Sequence, residues 1–246
     1  MLRRIDYGDY DLIITFFTLN KGKTSVIAKS AKKSTKRFSG ILELFSVLQI
    51  IVTTGSGKGL PVLQETTLKH PHFNIRTDIK KTGYASYWAE LINEWTEESV
   101  KQVELYRLFE HVLRELDLGN IPDAVLSILF QMRFASLSGH RPNLRQCNVC
   151  RAPLEKMRTS RLRFDIQRGG LVCQNCTSSI SGYQFLTKMT IKQLLWTEKG
   201  DLTKAGRIRF TPETLKEGLE FLETFVPYYL GKEPRSLKFL REIRDS

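Results

Sequence analysis

The four cysteines constrain this chain more than any other feature. They form two pairs, Cys147-Asn-Val-Cys150 and Cys173-Gln-Asn-Cys176, separated by 22 residues. A two-residue gap lets both thiolates of a pair turn onto one ion. Two such pairs supply the four soft ligands of a tetrahedral zinc site. The separation slightly exceeds the usual range of about 15–20 residues, and a β-hairpin fits it. Residues 161–166 and 169–173 read as its strands, with Gly169 and Gly170 at the turn. Disulfides would need an oxidising compartment, and nothing in the chain argues for export. A single CxxC suits a redox pair, whereas two spaced pairs favour metal. Catalytic zinc keeps an open position for water, and four cysteines leave none. The expectation is one structural Zn²⁺ on Cys147, Cys150, Cys173 and Cys176, in a zinc-ribbon-like module.

The 246 residues, 41% of them apolar, suffice for two or three small domains with real cores. No run of eighteen apolar residues occurs, so no membrane span is expected. The first residues carry Arg3 and Arg4 but no apolar segment behind them, unlike a secretory signal. The cytoplasm is therefore the expected compartment. Net charge is +12, and it is patterned. Residues 1–80 hold 13 Lys and Arg against 6 Asp and Glu; residues 81–140 hold 5 against 9; residues 141–246 hold 20 against 11. Two basic ends flanking an acidic middle point first to nucleic acid as partner, with anionic lipid second.

The periodicities divide the chain. Residues 11–18, 23–30, 44–54 and 60–68 read as short strands with glycine-containing turns, the pattern of a small closed barrel. After Asp78 the apolar spacing becomes helical: Tyr84, Trp88, Leu91, Ile92 and Trp95, then Leu105 to Leu116. Residues 124–137 are apolar nearly all round, as in a buried central helix that Gly139 can stop. Leu215, Leu219, Leu222, Val226 and Tyr229 mark a further amphipathic helix, with Pro212 near its start. The expected architecture is α+β and multidomain: an oligonucleotide-binding (OB-fold) β-barrel over 1–78, helices over 79–144, the four-cysteine zinc module over 145–180, and helices over 181–246 that pack on the first helical part.

From Leu12 to Leu42 the chain contains no acid, and it carries Lys21, Lys23, Lys29, Lys32, Lys33, Lys36 and Arg37. A solvated loop or an address label would also produce such a run. In a five-stranded barrel, however, one strand face and its adjoining loops form a binding groove. Lysines there would contact phosphates without reading bases. Phe38 and Phe45 are candidates for stacking on a base, with the barrel core as the alternative, preferred for Phe45. The zinc hairpin is also basic. Its Arg158, Arg161 and Arg163 fit either a second nucleic-acid contact or the ordinary polarity of a module with almost no core.

No catalytic constellation emerges. The segment GSGKG lacks the Ser or Thr after Lys58 that a phosphate-binding loop needs, and reads as a hairpin turn. His70 and His72 flank a proline and read as loop residues rather than metal ligands.

The segments GDYDLIITFFT, KGKTSVIAKSAKKSTKRFSGILELF, PNLRQCNVC, GGLVC and RSLKFLREI resemble, in this order, the bacterial RecO family of recombination mediators. The resemblance implies a non-enzymatic protein of DNA repair and recombination. Such a protein binds single- and double-stranded DNA, anneals complementary strands, and works with RecR and the single-stranded DNA-binding protein SSB to load RecA. It implies a cytoplasmic, nucleoid-associated location. It makes Lys29–Arg37 part of the DNA-binding region, and the cysteines the mark of a metal-binding subset of the family. The family usually carries about ten residues ahead of the position of Leu2, including the first barrel strand. A clipped barrel edge or a misassigned start is therefore expected. A second reading is an interaction scaffold whose helical part is the working part, docking the acidic-apolar C-terminal tail of SSB in a basic-rimmed groove in the basic C-terminal region. A zinc-dependent nucleic-acid enzyme is a third.

Overall fold

A computed structural model describes residues 1–55, 59–176 and 182–245. The GSGKG turn, with Lys58, lies partly outside the described residues. The chain divides into two compact units, Met1–Leu118 with Pro234–Ser246, and Gly119–Glu233.

The first unit opens with a five-stranded sheet. Its strands are β1 (Arg3–Tyr7), β2 (Asp11–Thr18), β3 (Gly22–Ala28), β4 (Val47–Thr53) and β5 (Val62–His70), in the order β1-β2-β3-β5-β4. The β1-β2-β3 meander is antiparallel, β3 meets β5 in parallel at Ile27–Val62, and β4 returns antiparallel to β5. Met1 bridges the two sheet ends: its amino group donates to Ser46 O at 3.0 Å, and Phe45 N donates to Met1 O at 3.2 Å. Leu12, Ile14, Phe16, Val26, Ala28, Phe38, Leu42 and Leu63 fill the barrel. Both Phe38 and Phe45 are only 3% exposed, so both are core and neither is available to a base.

β1 escaped the sequence reading because all five of its residues are exposed, which leaves no apolar alternation to detect. It forms an edge of the sheet. β2 departs from alternation for a different reason. Phe17 lies on the strand's other face yet is 7% exposed, its ring 6.0 Å from that of Tyr106. A helix therefore covers the outer face of this strand.

That helix is α3 (Val103–Leu118), one of three that follow the barrel, after α1 (Phe73–Thr77) and α2 (Ile79–Trp95). Asp78 caps α2 by accepting from Lys80 N and Lys81 N at 2.8 and 3.1 Å, worth about 1 kcal/mol. His72 is buried, with Nδ1 3.1 Å from Phe45 O. His70 ends β5, so this pair is structural. The chain's last helix packs on α2. A Cβ on Gly83 would stand 2.7 Å from Ile243 Cδ1, so glycine lets the helices meet here without displacing that side chain.

The second unit begins with α4 (Asp123–Leu137), whose Ile128, Leu129, Phe130 and Met132 are fully buried, as a central helix requires. A four-stranded sheet follows, β6 (Asn143–Cys147), β7 (Arg161–Asp165), β8 (Gly170–Val172) and β9 (Tyr183–Thr187), in the order β6-β8-β7-β9. Helices α5 (Lys188–Glu198), α6 (Leu202–Ala205) and α7 (Pro212–Leu230) complete it, while α8 (Arg235–Asp245) belongs to the first unit. Thr211 and Thr214 form a capping box at the start of α7, with Pro212 at the first turn. Phe164 of β7 meets Phe221 and Phe225 of α7 edge-on at 4.7 and 5.6 Å, which joins sheet and helix. Glu217 of α7 locks the β9–α5 corner by accepting from Thr187 N at 3.0 Å, from Thr187 Oγ1 at 2.8 Å, and from Thr190 Oγ1. Among the described residues no helix is long and apolar enough to cross a membrane.

Candidate nucleic-acid interface and metal centre

The parallel pairing of β6 and β8 builds the cysteine site. β6 ends at Cys147, and β8 ends one residue before Cys173. Cys147 stands opposite Leu171 in register, so both CxxC turns leave the sheet side by side. The first turn closes with Arg151 N donating to Cys147 O at 3.1 Å, and Arg151 adopts φ +62° to do so. Asn148 steadies it by donating to Arg168 O at 2.8 Å. Gly170 permits this, since a Cβ there would sit 2.3 Å from the Asn148 amide nitrogen.

All four Sγ atoms lie within 4.8 Å of one another, and Cys150 and Cys173 are 3.6 Å apart. Sulfurs about 2.3 Å from one zinc ion would stand roughly 3.8 Å apart, so the donors fit that ion. None of the four is joined in a disulfide. Burial pushes the Cys147 thiol up, but the N–H groups of Cys173, Cys150 and Val149 outweigh it and bring it down to about 6. Burial raises Cys173, and hydrogen bonding with the Cys173 thiol pushes Cys176 up to about 12. Crowded thiols resist ionising together, and a dication among them removes that conflict. This cluster can hold a metal ion, and its chemistry suits zinc.

The basic run is anchored to the barrel. After β3 the chain makes one 3-10 turn, Ala31–Lys33. Lys32 N donates to Tyr10 O at 3.0 Å, Ser30 N donates to the Asp11 carboxylate at 2.7 Å, and Arg37 Nη2 donates to Lys29 O at 3.1 Å. Ala31 and Phe38 are buried, and burying a phenylalanine contributes about 2–3 kcal/mol. These contacts hold the segment against the barrel.

The seven predicted cations fall into two groups. Lys29, Lys32, Lys33, Lys36 and Arg37 gather at the end of β3 on this turn and the loop beyond it. Lys33 Nζ sits 3.4 Å from the centre of the Tyr10 ring, and Lys32 Nζ is 3.0 Å from Asp6. Lys21 and Lys23 lie at the opposite end of β3, a strand about 20 Å long by its rise. Lys23 is also engaged elsewhere, because its ammonium donates to Asn93 O at 2.7 Å near the end of α2. Gly22 beside it, at φ +67°, would place a Cβ 1.9 Å from Val100 O. This hairpin tip is thus docked on the helices, and its lysines do not join the cluster.

Tyr10 escaped the sequence reading. It is 45% exposed in the β1–β2 turn, directly beside the cluster. The turn sequence Gly8-Asp9-Tyr10 next to a predicted strand was the available signal. In the second unit, Arg161 and Arg163 lie along β7 against Phe185 of β9, whereas Arg158 is exposed in the loop ahead of β7.

Two family models match the chain, and they meet at a different point from the boundary between the two compact units. Residues 1–72 match the model described as recombination protein O N terminal, and residues 76–238 match recombination protein O C terminal. The chain belongs to the RecO family. The junction of the two RecO models falls where β5 ends and α1 begins. A DNA repair protein RecO of Desulfatibacillum aliphaticivorans is 45% identical over 99% of this chain and 95% of its own length. That of Desulfosudis oleivorans is 42% identical over 99% and 96%, and that of Bacillus pumilus 30% over 99% and 92%. RecO N-terminal domains are OB-folds, which is the class of the barrel described above.

Proposed function

We propose that this RecO-family DNA repair protein acts without catalysis, as a mediator that binds single- and double-stranded DNA and anneals complementary strands. In this reading it helps RecA load on SSB-coated DNA, together with RecR, at the bacterial nucleoid. The observation that carries it is the anchored cluster of Lys29, Lys32, Lys33, Lys36 and Arg37 at one end of the barrel. Residues 1–78 would form the DNA-binding part, with Arg158, Arg161 and Arg163 of the 145–180 module as a second contact and zinc as that module's structural staple.

The physics is charge neutralisation. Two DNA strands repel through their phosphates, and a surface that neutralises several phosphates on each lowers the cost of bringing them together. Lysine serves as a point charge on phosphate and carries no sequence information, which suits a protein that must accept any pair of complements.

The deciding experiment is annealing of SSB-coated complementary strands by the purified zinc-loaded protein. Acceleration over the spontaneous rate, without strand cleavage or nucleotide hydrolysis, is the expected outcome; no acceleration counts against the proposal. A scaffold reading has one supporting observation, a largely apolar cleft of about 490 Å³ lined by Phe16, Phe17, Leu48, Tyr106 and Phe109, although it belongs to the first unit rather than the basic C-terminal region and carries Glu110 as well as Lys21. Titration with an SSB tail peptide tests it, and failure to bind at micromolar concentration removes it.

A further inference from the structure

Strand β7 alternates. Leu162 and Phe164 turn into the core, 2% and 0% exposed, and Arg161 and Arg163 turn outward between them. Arg163 stands directly opposite Phe185 of β9, so the two side chains share the outer face. Phe185 remains 48% exposed there. The guanidinium carbons of Arg161 and Arg163 lie 5.6 and 5.7 Å from its ring centre. With Thr159 and Gln174 these residues line a hollow of about 340 Å³, and among the described residues none that lines it is acidic.

We propose that this hollow takes an unpaired base of a single-stranded nucleic acid, stacked on Phe185, with the adjoining phosphates on Arg161 and Arg163. The inference rests on the DNA-binding reading above and deepens its second contact, giving it a way to distinguish unpaired from paired bases. Three features favour this occupant. An outward aromatic ring on a sheet offers a flat face of base dimensions, and stacking on it accepts every base. Guanidinium groups pair with phosphate in bidentate geometry and also lie flat against π-systems, so both arginines serve a strand threading past the ring. The absence of carboxylates from the lining removes the repulsion that would exclude a polyanion. An acidic peptide would satisfy the arginines but leave the ring without a planar partner. A duplex hides its base faces and cannot reach the ring at all.

The test uses the full-length, zinc-loaded protein and fluorescence anisotropy on a labelled oligothymidylate and a labelled duplex. Phe185→Leu keeps the bulk and removes the aromatic face. It is expected to weaken single-strand binding roughly 5- to 150-fold, the range for loss of one base–aromatic stack, and to leave duplex binding unchanged. Phe185→Tyr is expected to retain both. Ultraviolet cross-linking of an iodinated deoxyuridine strand is expected to place an adduct on Phe185. Phe185→Leu binding single strands like the parent overturns the inference, as does equal loss on the duplex. So does loss of polyglutamate binding with DNA binding intact. If the parent protein binds DNA while Phe185→Leu changes nothing, only this inference falls. If the parent binds no DNA at all, the mediator reading falls with it.

Discussion

Five clustered cations predict a salt dependence whose size the structure refines. Each phosphate neutralised on a single strand contributes about −0.7 to the slope of log affinity against log salt. Five contacts would give a slope near −3.5, a loss of about 130-fold between 50 and 200 mM salt. Lys32 is not equivalent to the others. Its ammonium is 3.0 Å from the Asp6 carboxylate and donates to Gly8 O at 3.2 Å, and its side chain is 28% exposed. It already has a counter-charge, so DNA gains less from it. With four effective cations the slope is near −2.8, and the loss over the same interval is about 50-fold. Lys36→Ala should therefore flatten the slope by about 0.7, and Lys32→Ala by less than half of that. Asp6→Asn should steepen it by releasing Lys32. The combined replacement of Lys32, Lys33, Lys36 and Arg37 by Ala should leave a slope near −0.7 and weaken unrelated sequences alike. Anisotropy titrations across a salt series on two unrelated oligonucleotides measure all of these. Equal effects of Lys32→Ala and Lys36→Ala, with no response to Asp6→Asn, would refute the pairing argument. A slope near zero in the parent would refute phosphate contact by the cluster.

Removal of metal by a chelator should lower the thermal midpoint and open the loops around Cys150 and Cys176 to protease, and elemental analysis should find one zinc per chain. Zinc binding must displace the protons of Cys173 and Cys176, whose thiols are both held above the ordinary value. Zinc affinity should therefore rise with pH, as measured by competition with a colorimetric chelator. Gly22→Ala forces both φ +67° and a Cβ 1.9 Å from Val100 O. It should cost roughly 2–4 kcal/mol in denaturant midpoint experiments, whereas Gly40→Ala, with nothing within 4 Å of its Cβ, should cost only about 1 kcal/mol for its positive φ. Glu217→Ala leaves the Thr187 N–H without its acceptor and the paired Thr187 and Thr190 hydroxyls with only each other, an expected loss of about 2–4 kcal/mol; Glu217→Gln should recover part of it.

What the sequence disclosed follows from which forces are local. The two CxxC pairs were legible because ligand spacing is a property of a few consecutive residues, and the fold needed only to bring two turns together. The helices at 84–95 and 105–116 were legible because their apolar residues repeat at helical spacing, and the strand at Asp11–Thr18 because it is a short run rich in β-branched and aromatic residues. Strand β1 was not legible. Its five exposed residues carry no burial signal, and pairing with β2 alone makes it a strand. Nor could local pattern separate Lys21 and Lys23 from Lys29 and its neighbours. The acid-free interval runs through all of them, but β3 is a rigid spacer that puts one group at each of its ends. Tyr10 and Phe185 acquire their cationic neighbours only through strand pairing, across β2–β3 and β7–β9. The alternation that sends Phe185 outward also makes it look like an ordinary sheet residue.

The anchoring of the basic turn bears on how such a surface would work. Burial of Ala31 and Phe38 and the hydrogen bonds from Ser30 and Lys32 fix the backbone before any partner arrives. That ordering cost is met in folding, and association need not meet it again. The lysine side chains beyond Cβ are a different matter. Lys29 and Lys36 are exposed on this fixed backbone, and each keeps rotamer freedom worth up to about 2 kcal/mol when lost. A surface of this kind gathers phosphates without prescribing their positions. It would bind any strand, let the strand shift, and release it to its complement. Rigid donors aimed at base edges would hold one register and slow that exchange. A preformed backbone carrying mobile cations is therefore better matched to annealing than to sequence recognition.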